Sequence, residues 1–438
     1  MNKKQYGDYL QMEKHDRHPG GDDPEHGPFE YWDIGMTRNA AQENKKRYKV
    51  YLNPSPHIIK DQNVPLRGWY KSKYEPKGVR ARPCFTEALL TQPYGGACPI
   101  RCQFCYVNNG IRGYRGSGVT VVDPNYPIKV EQQLNKMKFG WSAYISSFTE
   151  PFQKLEQKFH NTEQISEIIT DYGLPLFYLT RQIPPQWTIK YLLRSQFSYQ
   201  QFSIITSDRT VYRRLSPGAA PLDDILWYIR EELKPRGIYV SIQVNPILPG
   251  IVSQDDVLKL INELGEAGAD HCIFKFVEIV APAAQAMINK MARLFPGDRA
   301  ETFKGLFSEN IGGLRTVAEG FRKQSLDLFK AACTKAGMTM GLCYEYKYDR
   351  TAAGTIVDKT GVSMGREYCT GAQCHGQRVP IHLKRGGKFV PYTVCPPAGC
   401  LYCAEQTTDG QPPCGVPYLQ EARALRPSDY NKNYWRFK

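Results

Sequence analysis

No apolar run in this 438-residue chain approaches the roughly 18 residues of a membrane-spanning helix. The mean hydropathy of -0.49 points the same way. The first residues, Met1-Asn-Lys-Lys-Gln-Tyr-Gly-Asp8, lack the apolar stretch of a secretory leader, so a cytoplasmic location and no membrane partner are expected. Acidic residues are in deficit: 57 Lys and Arg face 43 Asp and Glu, a formal net charge of +14. That balance argues against a cationic partner. It favours a polyanion, nucleic acid and DNA first, through phosphate neutralisation and counterion release. Cysteine is not lacking. Thirteen thiols, an odd number, in a reducing compartment read as metal ligands sooner than as disulfides. A mass of 49.9 kDa suits a barrel-sized core with extensions.

Three thiols fall within Tyr94-Gly-Gly-Ala-Cys98-Pro-Ile-Arg-Cys102-Gln-Phe104-Cys105-Tyr106. A Cys-x3-Cys-x2-Cys spacing can hold three irons of a [4Fe–4S] cube and leave the fourth without a protein ligand. An open iron is what a small chelating molecule needs. A zinc site would favour paired Cys-x-x-Cys units and a fourth ligand close by, and no other Cys or His adjoins the loop. The spacing, with aromatic Phe104 before the last cysteine, resembles the signature of the radical-SAM superfamily. That resemblance implies S-adenosylmethionine (SAM) as the chelator. The cube would deliver one electron to it and give a 5′-deoxyadenosyl radical. An electron donor such as flavodoxin or ferredoxin is implied as well.

Residues 1–82 read as a basic and aromatic N-terminal extension. Its cations interleave with rings in Lys45-Lys46-Arg47-Tyr48-Lys49 and in Arg67-Gly-Trp69-Tyr70-Lys71, a pattern suited to phosphates and stacked bases. From residue 83 to 343 apolar, strand-like runs alternate with helical patterns. The runs are Phe85–Thr91, Trp141–Ser147, Leu174–Thr180, Gln201–Thr206, Ile238–Asn245, His271–Val277 and Met338–Cys343. Asn161 is expected to cap one helix that ends at Gly173. Ser253-Gln-Asp-Asp256 is expected to open another as a capping box, with Gly268 closing it. The fold class expected is α/β, an incomplete (β/α)6-type TIM-like barrel with its chemistry at the carboxyl ends of the strands. Residues 344–438 lose this rhythm and read as a cysteine-rich, metal-binding C-terminal domain.

Ile145-Ser146-Ser147-Phe-Thr149-Glu150-Pro151-Phe152-Gln153 and Asn245-Pro246-Ile-Leu-Pro-Gly250 narrow the likeness. Together with Leu179-Thr180-Arg181, they resemble the spore photoproduct lyase-like branch, the DNA repair photolyases of the superfamily. The resemblance implies that Cys98, Cys102 and Cys105 ligate the cluster and that Phe104 lies against the adenine of SAM. Ser146, Ser147, Thr149 and Glu150 would receive the methionine ammonium, which needs hydroxyl, carbonyl or carboxylate acceptors. Ser203 or Thr206 would bond the ribose or carboxylate, and Asn245 and Pro246 would border the adenine.

The branch returns a hydrogen atom to its product radical from a thiol or tyrosine. No position here matches that residue, and Cys343, Tyr344 and Tyr346, at the end of the last apolar run, are the candidates. Cys84, Cys272 and Cys333 are assigned to packing. Further on, Cys395, Cys400, Cys403 and Cys414 supply four thiolates for a second [4Fe–4S] cluster or a Zn²⁺, with Cys369 and Cys374 as alternative ligands. The function expected is radical chemistry on a thymine or modified thymine in DNA. It takes the form of lesion reversal, or of isomerisation of an amino-acid adduct as in bacteriophage DNA-modification enzymes that resemble this branch. Modification of a peptide, aided by an auxiliary cluster, is the alternative.

Overall fold

In this computed structural model the described residues are 16–35, 45–62, 66–67, 88–105, 118–137, 139–311, 313–343, 345–371, 374–377, 379–380 and 382–391. The expected barrel core takes the form of a mixed α/β fold around a parallel sheet. All seven strand-like runs form strands. They are Ala88–Thr91, Ser142–Ile145, Leu176–Thr180, Tyr199–Ser203, Tyr239–Ile247, His271–Phe276 and Thr339–Leu342, here called the first to the seventh strand. Each lies parallel beside the next in chain order. Leu66–Arg67 adds an antiparallel edge beside the first, which completes a sheet of eight.

Strand alternation divides the sheet into two chemically different faces. One face, with Leu89, Ala143, Ile145, Tyr178, Phe202, Val240, Ile242, Cys272, Phe274 and Met340, is buried against the connecting helices. Phe274 stacks on Phe329 of the helix Glu319–Lys335 at 5.1 Å, and Cys272 and Cys333 are buried there as the sequence suggested. Each such side chain removed from water contributes about 1.5–3 kcal/mol. The other face is largely aromatic: Leu90, Tyr144, Phe177, Tyr199 and Tyr239 cluster there, each in register with the next on the neighbouring strand.

The helices begin where the sequence places stops, with one difference of mechanism. Gln254–Glu266 opens on the expected capping box of Ser253 and Asp256. Asn161–Asp171 also forms, but Asn161 does not cap it. Its side-chain amide donates instead to the carbonyls of Pro93 and Asp123. The orphan amides of Thr162 and Glu163 are taken by the carboxylate of Glu156, both at 2.9 Å. A distant carboxylate does the work of a cap.

A six-stranded sheet joins the N-terminal extension to the site. Asp16–Asp23, Gly27–Gly35, Lys45–Tyr51 and His57–Ile59 run in sequence, followed by Thr120–Val122 and then Tyr94–Gly96, the strand that leads into Cys98. Its cations are answered within the sheet. Lys45 pairs with Asp16 at 3.0 Å, Arg47 with Asp33 at 2.8 Å and Lys49 with Asp23 at 2.6 Å. Arg17 sits over the Trp32 ring at 4.3 Å. Residues 68–82 of the basic stretch lie outside the described residues.

After the seventh strand the chain returns beneath the aromatic face. The His375 ring lies 5.2 Å from that of Phe177, and its Nδ1 is 3.2 Å from Gln201 Nε2. Burial pushes the His375 pKa down to about 3, so the ring is neutral at pH 7. His271 joins the same layer through Thr339 Oγ1 at 2.7 Å and the Cys374 carbonyl at 2.8 Å. Gly376 makes this fit possible. Its φ is +79°, and a Cβ there would stand 2.4 Å from His271 Cγ and 2.4 Å from Tyr239 Oη. Gly237, with φ +69° and nothing within 4 Å, needs only the left-handed backbone. Gly237→Ala is expected to cost about 1–2 kcal/mol of backbone strain, and Gly376→Ala that much plus a steric clash. Thermal unfolding midpoints compare the two, and a Gly376→Ala midpoint no lower than that of Gly237→Ala would refute the close packing of this seal.

Candidate functional site

The cysteine loop follows the first strand and the short strand Tyr94–Gly96, and backbone contacts hold it from both sides. Arg101 takes a left-handed conformation, φ 55°, which turns the chain between Cys98 and Cys102. Gln103 N–H donates to the Leu215 carbonyl at 2.8 Å, and Gly218 N–H donates to that of Ile100 at 3.0 Å. Gly218 must be glycine for this approach, since a Cβ would meet the Pro99 carbonyl at 2.3 Å. Cys98, Cys102 and Cys105 are half-buried. Ser216 Oγ lies 3.6 Å from Cys102 Sγ. Burial foremost, then the neighbouring Cys102, Glu150 and Cys105, push the Cys98 thiol up.

Among the described residues no three His, Cys, Asp or Glu side chains converge as ligands of a single ion. Lys290, on the helix Ala281–Leu294, adds a cation whose field reaches Cys105 and Cys102. Burial lowers its pKa to about 8, against the pull of those two sulfurs.

The polar residues after the second strand form one network. Ser146, at φ 70°, donates through Oγ to the Thr149 carbonyl at 2.8 Å, and Thr149 Oγ1 donates to the Tyr94 carbonyl at 2.8 Å. The Gln92 amide reaches Ser147 Oγ at 2.8 Å. With its oxygen turned that way, it also accepts from the Ser147 and Phe148 amides at 2.6 and 3.2 Å. Glu150 is buried, and its carboxylate accepts from Thr180 Oγ1 at 2.6 Å and from the amides of Phe152 and Arg181 at 3.1 Å. Burial outweighs these bonds and raises its pKa to about 7.

Arg181 ties this network to the later strands. One guanidinium nitrogen, Nη2, donates to Ser203 Oγ at 2.8 Å and to the Asn245 carbonyl at 3.3 Å. The other, Nη1, reaches Ser216 Oγ at 3.4 Å. The group also lies 5.2 Å from the centroid of the Phe104 ring. Thus Phe104, Glu150, Ser203 and Asn245, separately expected at the site, meet through one residue that the sequence reading quoted within the Leu179-Thr180-Arg181 motif but gave no role. Its signal was a charge directly after the apolar run Leu176–Thr180. Gln92 and Lys290 carry no sequence signal at all.

Other expected residues lie apart from this meeting point. Thr206 Oγ1 accepts from the Asp208 amide at 3.1 Å, at the turn into the helix Arg209–Leu215. Tyr346 is buried on a later hairpin, and Cys343 continues the seventh strand with its N–H donating to the Phe274 carbonyl at 2.9 Å. Cys84, Tyr344, Cys395, Cys400, Cys403 and Cys414 lie outside the described residues.

Glu150 generates a pH prediction. Its folded pKa of about 7 exceeds its ordinary 4.5, so between those values the folded chain holds more proton at this carboxyl than the unfolded one. Its contribution to stability is therefore full below about pH 4.5 and is lost as pH rises through about 7. Glu150→Gln removes that slope. Denaturant midpoints of the metal-free chain at about pH 5 and pH 7.5 check this: the wild type should lose ground to the variant at the higher pH.

A scan against descriptions of known protein families finds no match. The chain is 43% identical over 423 residues to the "Radical SAM Nalpha-GlyT isomerase" of Pseudomonas phage M6, covering 94% of this chain and 87% of that protein. Among solved structures it is similar to a spore photoproduct lyase mutant with bound AdoMet and dinucleoside spore photoproduct. That match has a TM-score of 0.45 and 13% identity and covers 66% of this chain and 82% of the other. It is also similar to Streptococcus suis SuiB bound to S-adenosylmethionine, with a TM-score of 0.38 and 14% identity over 59% of this chain and 51% of the other. None of the described helices is long and apolar enough to cross a membrane. With the cysteine loop in place and an identity of 43% running almost from end to end, this chain belongs to the radical SAM enzymes.

Proposed function

We propose that this enzyme isomerises an amino-acid adduct carried on the methyl group of a thymine in DNA. The observation that carries the reading is the 43% identity, across 94% of the chain, to a phage protein named as an isomerase of Nalpha-GlyT. The net charge of +14 supports a nucleic-acid partner. Three of the four cations of Lys45–Tyr51 are matched by carboxylates within their own sheet, so that strand contributes little to the surplus.

In this reading Cys98, Cys102 and Cys105 would hold a [4Fe–4S] cluster that binds SAM. The fit rests on three half-buried thiols in one loop, with the Ser216 hydroxyl beside Cys102 and the Lys290 charge within electrostatic reach of Cys105 and Cys102. Once bound, the cluster and SAM would supply one-electron chemistry, the source of a 5′-deoxyadenosyl radical. The parallel sheet is taken to curl into an incomplete barrel that keeps water from the site.

The chain's own residues bind and orient. Glu150, Ser146, Ser147 and Thr149 offer acceptors to the methionine ammonium, and a cation arriving there would draw the Glu150 pKa back down. Phe104, Asn245 and Pro246 border the adenine. Ser203 accepts from Arg181 and keeps its own proton to donate to the ribose or carboxylate. Arg181 positions all of these and is not itself a reacting group. Isomerisation conserves atoms, so a hydrogen removed must be returned, and Cys343, Tyr344 and Tyr346 are the groups considered for that step. A second cluster or Zn²⁺ on Cys395, Cys400, Cys403 and Cys414 rests on their spacing alone. The base must leave the stack to reach the site.

The test is anaerobic turnover of the reconstituted chain with SAM, a reductant and DNA bearing the adduct, followed by mass spectrometry of the nucleosides. A product nucleoside of unchanged mass and altered retention is expected, with deuterium passing from labelled adduct into 5′-deoxyadenosine. Cleavage of SAM with the adduct recovered intact would reject the reading. Arg181→Lys keeps a charge but loses the planar fork. It should bind SAM roughly tenfold more weakly at unchanged iron content, as read by equilibrium binding.

A further inference from the structure

One glutamine on the aromatic face of the sheet has no task in the site described so far. On the fifth strand Val240, Ile242 and Val244 pack into the helix-covered core. Alternation therefore puts Tyr239, Ser241 and Gln243 on the opposite face, where Tyr239 joins the aromatic cluster. Register sets Gln243 beside Ser203 of the fourth strand and beside Ile273 of the sixth. Ser203 accepts from Arg181 Nη2 at 2.8 Å. Gln243 thus stands next to the hydroxyl that Arg181 holds, one strand farther from the cysteine loop.

The row beneath it is closed. Gln201 and Ser241 pair across the same two strands, and Gln201 Nε2 lies 3.2 Å from Ser241 Oγ and 3.2 Å from His375 Nδ1. All three residues are buried. Gln243 differs. It is only half-buried, and although its carbonyl accepts from the Ile204 amide at 3.2 Å, its side-chain amide makes no hydrogen bond among the described residues. It is the first polar side chain above the floor that His375 seals.

The chemistry of a carboxamide narrows what it can receive. It presents one acceptor and one donor side by side in a plane. An amide placed like this exchanges hydrogen bonds with water, and a ligand that displaces the water weakens its own binding unless it replaces both. The ammonium or the carboxylate of an amino-acid substituent would engage only one half. A thymine-type base offers N3–H beside the C4 carbonyl, a donor and an acceptor in one plane, which matches both halves.

We propose that Gln243 reads the Watson–Crick edge of the extruded base. Its Oε1 accepts from N3–H, its Nε2 donates to the C4 carbonyl, and Ile273 gives the ring an apolar flank. Ser203 and Arg181 remain with the cofactor. The inference rests on the thymine-adduct reading above and adds the residue that recognises the base itself, as distinct from its substituent.

The test is equilibrium binding by the full, reconstituted chain with SAM present, with nucleoside products followed in parallel. Three single-stranded DNA probes are compared: the adduct on an ordinary thymine, the same adduct with N3 methylated, and a strand with an abasic site at that position. The wild type should bind the N3–H probe roughly tenfold tighter than the N3-methyl probe. Gln243→Leu, of similar size, keeps any purely steric rejection of the methyl group, so it should lose the preference only if the amide makes it. Iron content and SAM affinity should stay as in the wild type. Equal binding of the two adduct probes by the wild type, with isomer still formed, overturns the inference and leaves the adduct reading standing. That comparison needs no variant to fold. A Gln243→Leu protein that retains the preference overturns it too, and one whose SAM affinity falls tenfold assigns the residue to the cofactor instead. If the N3–H probe binds no better than the abasic strand and yields no isomer, the adduct reading fails and the inference goes with it.

Discussion

The site depends on one buried guanidinium. Arg181 donates to a hydroxyl on the fourth strand, a carbonyl on the fifth and a hydroxyl in the turn that touches Cys102, and it faces the ring of Phe104. Four segments far apart in sequence take their relative positions from this planar fork, which a flexible ammonium would not reproduce. Glu150 receives the backbone amide of the same residue, and the charges of the two side chains act on each other. The cysteine loop is thereby keyed to the strand ends that face it.

Much of the fold was legible because periodicity and capping are local. All seven parallel strands fall on apolar runs, and Ser253 with Asp256 makes the capping box that its spacing implies. What stayed hidden is made by contacts across the chain. Asn161 reads as a cap in a window of twelve residues, yet its amide is spent on Pro93 and Asp123 while Glu156 caps the helix. Arg181 stands in a motif that resembles the family, yet nothing local says which carbonyls and hydroxyls it will gather, and Lys290 looks like a surface cation in sequence. The cysteine spacing was the exception: three thiols in one loop are a local fact with a distant meaning.

Net charge is likewise a sum that hides its arrangement. The run Lys45-Lys46-Arg47-Tyr48-Lys49 looks like a phosphate-binding stripe, but Asp16, Asp33 and Asp23 on neighbouring strands answer three of its cations. The extension has another physical role. Its sheet ends in Tyr94–Gly96, so the strand that delivers Cys98 is the edge of a six-stranded layer begun at Asp16. Packing of Trp32, Ile34, Val50 and Ile58 with Val119 supports that layer from within.

The return of the chain beneath Tyr144, Phe177 and Tyr199, with neutral His375 against them, orders events during synthesis. The tyrosine-lined end of the sheet is complete once the seventh strand has left the ribosome, yet its cover comes some thirty residues later in the sequence. For that interval a growing chain presents a wet aromatic floor, the kind of surface that recruits chaperones or neighbouring chains. Maturation with iron and sulfide would then be best delayed until that floor is covered, which makes the segment around His375 a timing element of assembly.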